Sequence, residues 1–129
     1  SKEIVLIIMS NKNIFKKSLE LQLKAKDIGL DWLEIEGVIA KLKEETHEVE
    51  EAIENNDKEA INEELGDLFF TFLCLTRHLD CDPEEVLDLA NIKFTKRFNE
   101  VKELLKKEGM TSANPEEMDR LWRIIKKEG

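Results

Sequence analysis

A chain of 129 residues is long enough to bury one hydrophobic core and short for two separate domains. Charged residues make up 38% of it and the formal net charge is −9, which argues against nucleic acid as its main partner. The only strongly apolar N-terminal run, residues 4–9, is far too short for a membrane span, so we expect no membrane partner either. With 5 glycines, 2 prolines and no tyrosine, the composition favours helices over sheets.

The two cysteines and the N-terminus indicate where the protein works and where its domain begins. Cys74 and Cys81 have no histidine at zinc-finger spacing, so we interpret them as reduced thiols of a cytoplasmic protein. The segment Met9-Ser10-Asn11 would suit a natural start of translation. We therefore expect residues 1–12 to be an N-terminal extension, either disordered or foreign to the domain, and residues 13–129 to form the domain itself.

Five helices are predicted in chain order, over residues 14–28, 33–54, 58–79, 83–108 and 115–127. Three of them begin at a capping side chain that is followed three residues later by glutamate. These starts are Asp31-x-x-Glu34, Asp82-Pro83-x-Glu85 and Asn114-Pro115-x-Glu117. Gly29 and Gly109 fall where helices are expected to end. Because the connections are short, we predict an all-α bundle of four to five helices with antiparallel neighbours.

The helix predicted over 33–54 places a carboxylate on its apolar side. Its apolar stripe consists of Ile35, Val38, Leu42, Val49 and Ile53. At about 100° per residue, Glu45 projects only about 20° from Val38, within this stripe, and Glu48 lies about 60° further round, at its edge. A carboxylate aimed at a core is costly unless it is paired or bound to a metal ion.

The helix predicted over 58–79 is apolar around most of its circumference and has one narrow polar sector. That sector holds Glu64, Asp67, Thr71, Cys74 and His78. Glu64 and Asp67 are three residues apart, so both carboxylates can reach one point. Together with Glu45 and Glu48 they are expected to converge between two antiparallel helices. Oxygen ligands of this kind suit Mg²⁺, with Mn²⁺ as a substitute.

Two alternative interpretations compete with this magnesium site. Acidic pairs at this spacing are common on solvated helices, in which case the chain is a catalytically silent helical interaction module. Glu44-x-x-His47 matches half of a di-iron carboxylate bundle, but the residue three before His78 is Leu75, which cannot bind a metal, so the second half is missing. We expect His47 to be exposed and His78 to be a hydrogen-bonded, buried histidine.

Two further regions carry residue types that suit a nucleotide. Lys93 and Arg97 are one turn apart on the helix predicted over 83–108, so they can bind neighbouring phosphate oxygens or simply face solvent. Trp122 lies in a short amphipathic helix with Lys126 one turn on. It is either a core residue or a stacking surface for a nucleobase, and spacing alone does not decide between them.

Four segments resemble one known family in their order and spacing. They are Lys-Leu-Lys-Glu-Glu-x-x-Glu-Val (41–49), Glu-Glu-Leu-Gly-Asp-Leu-Phe-Phe (63–70), Asn-x-Lys-Phe-x-x-Arg-Phe (91–98) and Glu-Glu-Met-Asp-x-Leu-Trp (116–122). This pattern is similar to the MazG nucleoside triphosphate pyrophosphohydrolases, over about residues 19–127. Well-known members carry two such domains in tandem, and this chain resembles the second, catalytic one.

The resemblance implies an all-α domain, usually a homodimer, that cleaves a nucleoside triphosphate between its α and β phosphates. The products are a nucleoside monophosphate and pyrophosphate, and the expected role is house-cleaning of the nucleotide pool. Some members carry a lysine where this chain has Ala60, with Lys58 nearest, which puts one phosphate contact in doubt.

The resemblance also implies a role for each site residue. The positions that match the Mg²⁺ ligands are Glu45, Glu48, Glu64 and Asp67, and Glu44 completes the catalytic set. The positions that match substrate contacts are Lys41, Lys93, Arg97, Trp122 and Lys126.

Overall fold

The computed structural model describes residues 1–10 and 13–128, with Ser10 described by its backbone alone. Within these residues the chain forms six α-helices and no strand, which confirms the predicted all-α class. The helices are α1 (Lys2–Ser10), α2 (Ile14–Asp27), α3 (Ile35–Glu54), α4 (Lys58–His78), α5 (Pro83–Lys107) and α6 (Pro115–Glu128). All five predicted helices are present, with every end within two residues of its expected place.

The sixth helix, α1, was not predicted and lies in the expected N-terminal extension. Residues 2–10 are helical instead of disordered. The Ser1 hydroxyl accepts a hydrogen bond from the Ile4 N–H, and Glu3 forms an ion pair with Lys24 of α2. α1 therefore packs on α2. The expected boundary of the extension at residue 12 falls on Asn11 and Lys12, which lie outside the described residues.

The chain divides into two compact units, and the prediction of one domain over 13–129 stays a prediction. The first unit covers residues 1–84 and holds α1 to α4 and the first two residues of α5. In it, α3 packs along α4, and α2 packs on α4. The second unit begins at residue 85 and holds the rest of α5 and α6.

Side-chain caps fix where four of the helices begin. In each case a side-chain oxygen accepts a hydrogen bond from a backbone N–H of the first turn. The pairs are Asn13 with Lys16, Asp57 with Ala60, Asp82 with Glu84 and Asn114 with Glu117. The caps predicted at Asp82 and Asn114 are thus confirmed. Gly29 and Gly109 end α2 and α5 with φ values of 93° and 72°, which L side chains rarely adopt.

The cap predicted at Asp31 is wrong. α3 begins at Ile35, and the residue before it makes no side-chain cap hydrogen bond. The Asp31 carboxylate instead accepts two hydrogen bonds from the Arg77 guanidinium, at 3.0 Å and 2.8 Å, and lies 3.2 Å from His78 Nε2. A bidentate pair with a guanidinium is stronger than a neutral backbone cap, so the long-range partner wins.

This pair ties three segments of the first unit together. Gln22 of α2 accepts a hydrogen bond from Arg77 Nε at 3.1 Å and donates one to the Phe70 carbonyl at 3.2 Å. The Asp31 side chain is only 12% exposed and that of Arg77 13%. The hydrogen bonds from Arg77, above all, hold the pKa of Asp31 well below its usual range.

The first unit buries an unusual proportion of polar side chains. Its buried apolar residues are Val38, Ala52, Leu73 and Cys74, and its buried polar residues are Gln22, Glu45, Thr71 and Thr76. On α4, by contrast, Phe69, Phe70 and Phe72 keep 51%, 45% and 42% of their surface exposed. Much of the apolar surface that the sequence places on this helix is therefore exposed within the first unit as described.

The second unit has a conventional apolar core. α5 supplies Val101 and Leu105, and α6 supplies Leu121 and Ile125, each at most 6% exposed. Trp122 and several other partly buried apolar side chains pack against this cluster. Across both described ranges, no helix has the length and apolar character needed to cross a membrane.

Folding lowers the pKa of Asp31. The Asp31–Arg77 pair should therefore stabilise the protein at a pH above the pKa of Asp31 in the unfolded chain, and this stabilisation should be lost as the pH falls. At pH 7, Asp31→Asn should cost about 2 kcal/mol of unfolding free energy. The difference between wild type and variant should shrink below about pH 4, where the unfolded carboxyl gains its proton. Urea unfolding from pH 7 to pH 3 measures it, and a difference that stays constant with pH would contradict the assignment.

Candidate metal centre

Three of the four predicted metal ligands converge where α3 packs against α4. Glu45, Glu48 and Glu64 each offer a carboxylate oxygen, and these oxygens lie within 4.8 Å of one another. Glu45 is 4% exposed and the other two are half-buried. The helical position of Glu45 within the apolar stripe therefore corresponds to real burial.

Two oxygens of this group have no protein partner. Glu45 Oε1 accepts a hydrogen bond from Lys41 Nζ at 3.0 Å, but its Oε2 is buried without any partner among the described residues. Glu64 Oε2 is likewise buried without any partner among the described residues. Buried, unpaired carboxylate oxygens are costly. The donor set consists of oxygens only, and it fits a hard divalent cation.

The electrostatics of the group point the same way. The pKa of Glu64 is raised to about 7, first by a hydrogen bond with Glu48 that requires a shared proton, then by burial and by the neighbouring negative charges. Lys41 is the only cation in the described residues that contacts Glu45, and the pKa of its ammonium is raised mainly by that hydrogen bond. The group thus holds more negative charge than the nearby lysine neutralises.

The fourth predicted ligand, Asp67, does not join the group in this structure. It is exposed, although its charge still contributes to the raised pKa of Glu64. The prediction that it points into apolar surroundings is wrong, because its side chain is exposed in the described part of the chain. Glu44 is also exposed and lies 3.6 Å from Lys41 Nζ.

The di-iron alternative finds no support in the geometry. His47 is exposed, as predicted, and its Nε2 lies 2.9 Å from Glu51 Oε1 on the same helix. Within residues 1–10 and 13–128, neither His47 nor Glu44 belongs to a group of converging ligand atoms. His47 therefore contacts a surface carboxylate, and within the described residues the half-motif forms no group of converging ligands.

The remaining predicted residues belong to the second unit. Lys93 and Lys126 are exposed, and Arg97 is half-buried. The Arg97 guanidinium carbon lies 5.9 Å from the centre of the Trp122 ring. The centres of the Phe94 and Trp122 rings are 5.8 Å apart. This arrangement is a cation–π contact next to an aromatic pair.

Trp122 combines the two roles that the sequence left open. It packs against the core of the second unit, yet it is only partly buried and contacts Arg97. Its position as a core residue is therefore observed, and base stacking stays a prediction.

Sequence reasoning missed one conspicuous residue, Arg77. The sequence places it in the polar last turn of α4, beside His78, but its partner Asp31 lies 46 residues away. A second group of ligand-type atoms, from Asp31, Cys74 and His78, also lies within 4.8 Å. There the Arg77 guanidinium already occupies both Asp31 oxygens, and burial raises the pKa of the Cys74 thiol. Both effects oppose metal binding.

Comparison with known proteins agrees with the site. The family model of the MazG nucleotide pyrophosphohydrolase domain matches residues 34–104, which include the predicted metal ligands Glu45, Glu48, Glu64 and Asp67. The chain is 38% identical over 108 residues to the nucleoside triphosphate pyrophosphohydrolase/pyrophosphatase MazG of Thermotoga maritima, covering 82% of this chain and 41% of that protein. It is 34% identical over 116 residues to the nucleoside triphosphate pyrophosphohydrolase of Escherichia coli, covering 87% and 44%.

The chain is thus matched in sequence across α3 and α4, the two helices that supply the carboxylate cluster. It belongs to the MazG nucleotide pyrophosphohydrolase domain family. The chain spans less than half the length of the curated relatives it matches.

The carboxylate cluster should make stability depend on divalent cations. Mg²⁺ at saturating concentration should raise the thermal midpoint of the wild type by about 5 °C relative to the protein in EDTA. Glu64→Gln should stabilise the cation-free protein, because it relieves repulsion, and should abolish the Mg²⁺ effect. Thermal unfolding followed by circular dichroism measures both changes.

The matched control is Glu63→Gln, which removes the same charge from an exposed position one residue away. It should leave the Mg²⁺ effect intact. An equal Mg²⁺ effect in wild type and Glu64→Gln would show that the cation binds elsewhere.

Proposed function

We propose that this chain hydrolyses nucleoside triphosphates between the α and β phosphates, giving a nucleoside monophosphate and pyrophosphate. The observation that carries the proposal is the pair of buried, unpartnered oxygens on Glu45 and Glu64, within a group of three carboxylates. Family membership and the names of the relatives support the same activity.

The metal ion of this proposal is Mg²⁺, for which Mn²⁺ can substitute. Glu45, Glu48 and Glu64 would hold it, and the exposed Asp67 would complete the set. When bound, such an ion neutralises triphosphate charge and lowers the pKa of a coordinated water. Glu44 stays in the catalytic set by resemblance alone.

The cationic residues would bind the triphosphate. Lys41 already contacts two carboxylates and could turn its ammonium group to a phosphate oxygen. Lys93 and Arg97 would bind further phosphate oxygens, with Arg97 held against the Trp122 ring. Trp122 and Lys126 would contact the nucleoside. These roles rest on the resemblance and on the local geometry of each unit.

The cellular role that we propose is removal of unwanted nucleotides from the pool, in the cytoplasm. Both cysteines are free thiols, which supports a reducing compartment.

We further propose that the chain works as a homodimer. The exposed phenylalanines of α4 support this, because apolar patches of this kind on a small protein usually mark contact surfaces. A second copy would cover them with the same apolar face, as a twofold interface requires.

The activity is tested by incubating the protein with Mg²⁺ and a panel of nucleoside triphosphates. Monophosphate and pyrophosphate should be the products, and oxygen from heavy-oxygen water should appear in the monophosphate. Glu48→Gln and Asp67→Asn should each lower kcat by about 100-fold or more, because each removes a carboxylate that would hold the metal ion against the reacting phosphates. Glu50→Gln, an exposed change on the same helix, should leave kcat unchanged.

Release of diphosphate and orthophosphate would contradict the proposed bond cleavage. Turnover of no triphosphate by a folded protein would favour the silent interaction module instead.

The dimer is tested by sedimentation velocity over a range of concentrations. The wild type should sediment with the mass of two chains. Phe72→Ser should raise the dissociation constant by roughly tenfold or more, equivalent to about 1.4 kcal/mol, because it removes half-exposed aromatic surface from α4. Leu33→Ser removes an almost fully exposed apolar side chain outside this face and should have no effect. A monomer at every concentration would overturn the proposal.

A further inference from the structure

The first unit holds a cavity of about 420 Å³ that the proposed hydrolysis does not use. It lies between α2, the α2–α3 connection and α4, and it is lined by residues of these segments alone. We propose that this cavity binds an uncharged, planar aromatic ring, stacked beside Trp32. Its size falls in the range of small-molecule sites in proteins, about 300–1,000 Å³.

The walls of the cavity are apolar and its polar groups are gathered at Arg77. The apolar side chains come from all three segments: Leu21, Ala25, Leu30, Trp32 and Phe70. Asp31 and Gln22 line the cavity together with the guanidinium. An apolar pocket with a few convergent polar groups is the usual composition of a ligand site.

The hydrogen bonds of Arg77 determine the chemistry that the cavity offers. Asp31 accepts hydrogen bonds from both terminal nitrogens of Arg77, and Gln22 accepts one from its Nε. These bonds lie in the guanidinium plane, so the flat face is the part of the group left to contact a ligand. Guanidinium faces stack on aromatic rings. Because the charges of Asp31 and Arg77 already compensate each other, the cavity gives no net attraction to a charged ligand.

Trp32 supplies the second flat surface, and Gly37 allows it to lie where it does. A Cβ atom added at Gly37 would come within 2.9 Å of Trp32 Cε3. The indole therefore packs on the bare backbone of the first turn of α3. It nevertheless keeps 44% of its surface exposed, as expected for a ring that still has a free side.

The cavity is separate from the carboxylate group on the same helix. Its residues on α4 begin at Phe70, six positions beyond Glu64, which corresponds to about 9 Å along the helix axis. Glu45 and Glu48 do not line it. Ring binding can therefore be tested without a metal ion and without turnover.

The ring could belong to the base of a bound triphosphate or to a separate molecule. A second copy of the chain is the competing occupant of an apolar hollow. We commit to the ring, because a flat guanidinium face and an indole that line the same cavity suit a planar group better than a helix surface.

The probe is adenosine, an uncharged ring compound without phosphate, titrated in EDTA into protein carrying ¹⁵N-labelled tryptophan. Only two indole N–H signals are expected, since the chain has 2 tryptophans, and Trp122→Phe assigns them. The Trp32 signal should shift in a saturable way, and it should do so in Trp122→Phe as well. Gly37→Ala should weaken the binding at least fivefold, because the added methyl group displaces the indole.

Gly66→Ala is the matched control. It also replaces a glycine within a helix, so it brings the same gain in helix propensity, but nothing lies within 4 Å of the added Cβ. It should bind adenosine as the wild type does. Circular dichroism should find all three proteins equally helical, so lost binding in Gly37→Ala reports on the cavity and not on folding.

A second titration distinguishes the two sources of the ring. The protein is first saturated with Mg²⁺ and the non-hydrolysable α,β-methylene analogue of ATP, and adenosine is then added. If adenosine still shifts the Trp32 signal, the cavity takes a separate molecule. If the analogue alone shifts it and adenosine adds nothing, the cavity takes the substrate base.

The proposal is overturned if adenosine leaves the Trp32 signal unchanged at millimolar concentration, or if Gly37→Ala binds it as well as the wild type. It is also overturned if Gly37→Ala changes the sedimentation of the protein instead, since the cavity would then be a contact between copies. None of these outcomes depends on hydrolysis.

Discussion

The packing of α3 along α4 is the constraint on which the candidate site depends. It brings Glu45 and Glu48 of one helix against Glu64 of the other and removes part of each carboxylate from water. Three carboxylates in so small a volume oppose folding, and Lys41 neutralises only part of their charge. The helix pair must therefore be held together by other contacts, while the carboxylates keep their capacity to bind a cation.

Part of that support comes from the end of the helix pair where α3 begins and α4 ends. The Asp31–Arg77 pair ties the segment before α3 to the last turn of α4, and Gln22 adds α2 to the same network. These side chains are mostly buried and well partnered, unlike the carboxylate oxygens of the site. Where α3 begins and α4 ends, the buried polar groups are hydrogen-bonded. The carboxylate oxygens of the site are buried without partners, and unsatisfied groups of this kind are where chemistry is expected.

Much of this arrangement could be predicted from the sequence, because it follows from local rules. Helix caps and helical spacing depend on neighbours within a few residues, so they fixed the helix ends and the burial of Glu45. The position of Asp67 could not be obtained in this way. A helical wheel identifies an apolar face but not whether another segment covers it, and the phenylalanines beside Asp67 are uncovered. The helix cap predicted at Asp31 was wrong for a related reason, since the side chain that Asp31 binds, Arg77, lies 46 residues away. The division into two units likewise depends on packing that spacing does not encode.

The ion pair between Lys41 and Glu45 has a consequence for how such a site acquires its metal. The ammonium group occupies one oxygen of the most buried carboxylate, so an internal cation is present before any metal ion arrives. Small metal-dependent domains that lack such a substitute are unfolded until the ion binds. Here the lysine would let the helix pair assemble first, and a metal ion that bound later would replace one positive charge by another. Loading would then be a substitution on a folded scaffold, and a chelator would reverse it without unfolding the protein.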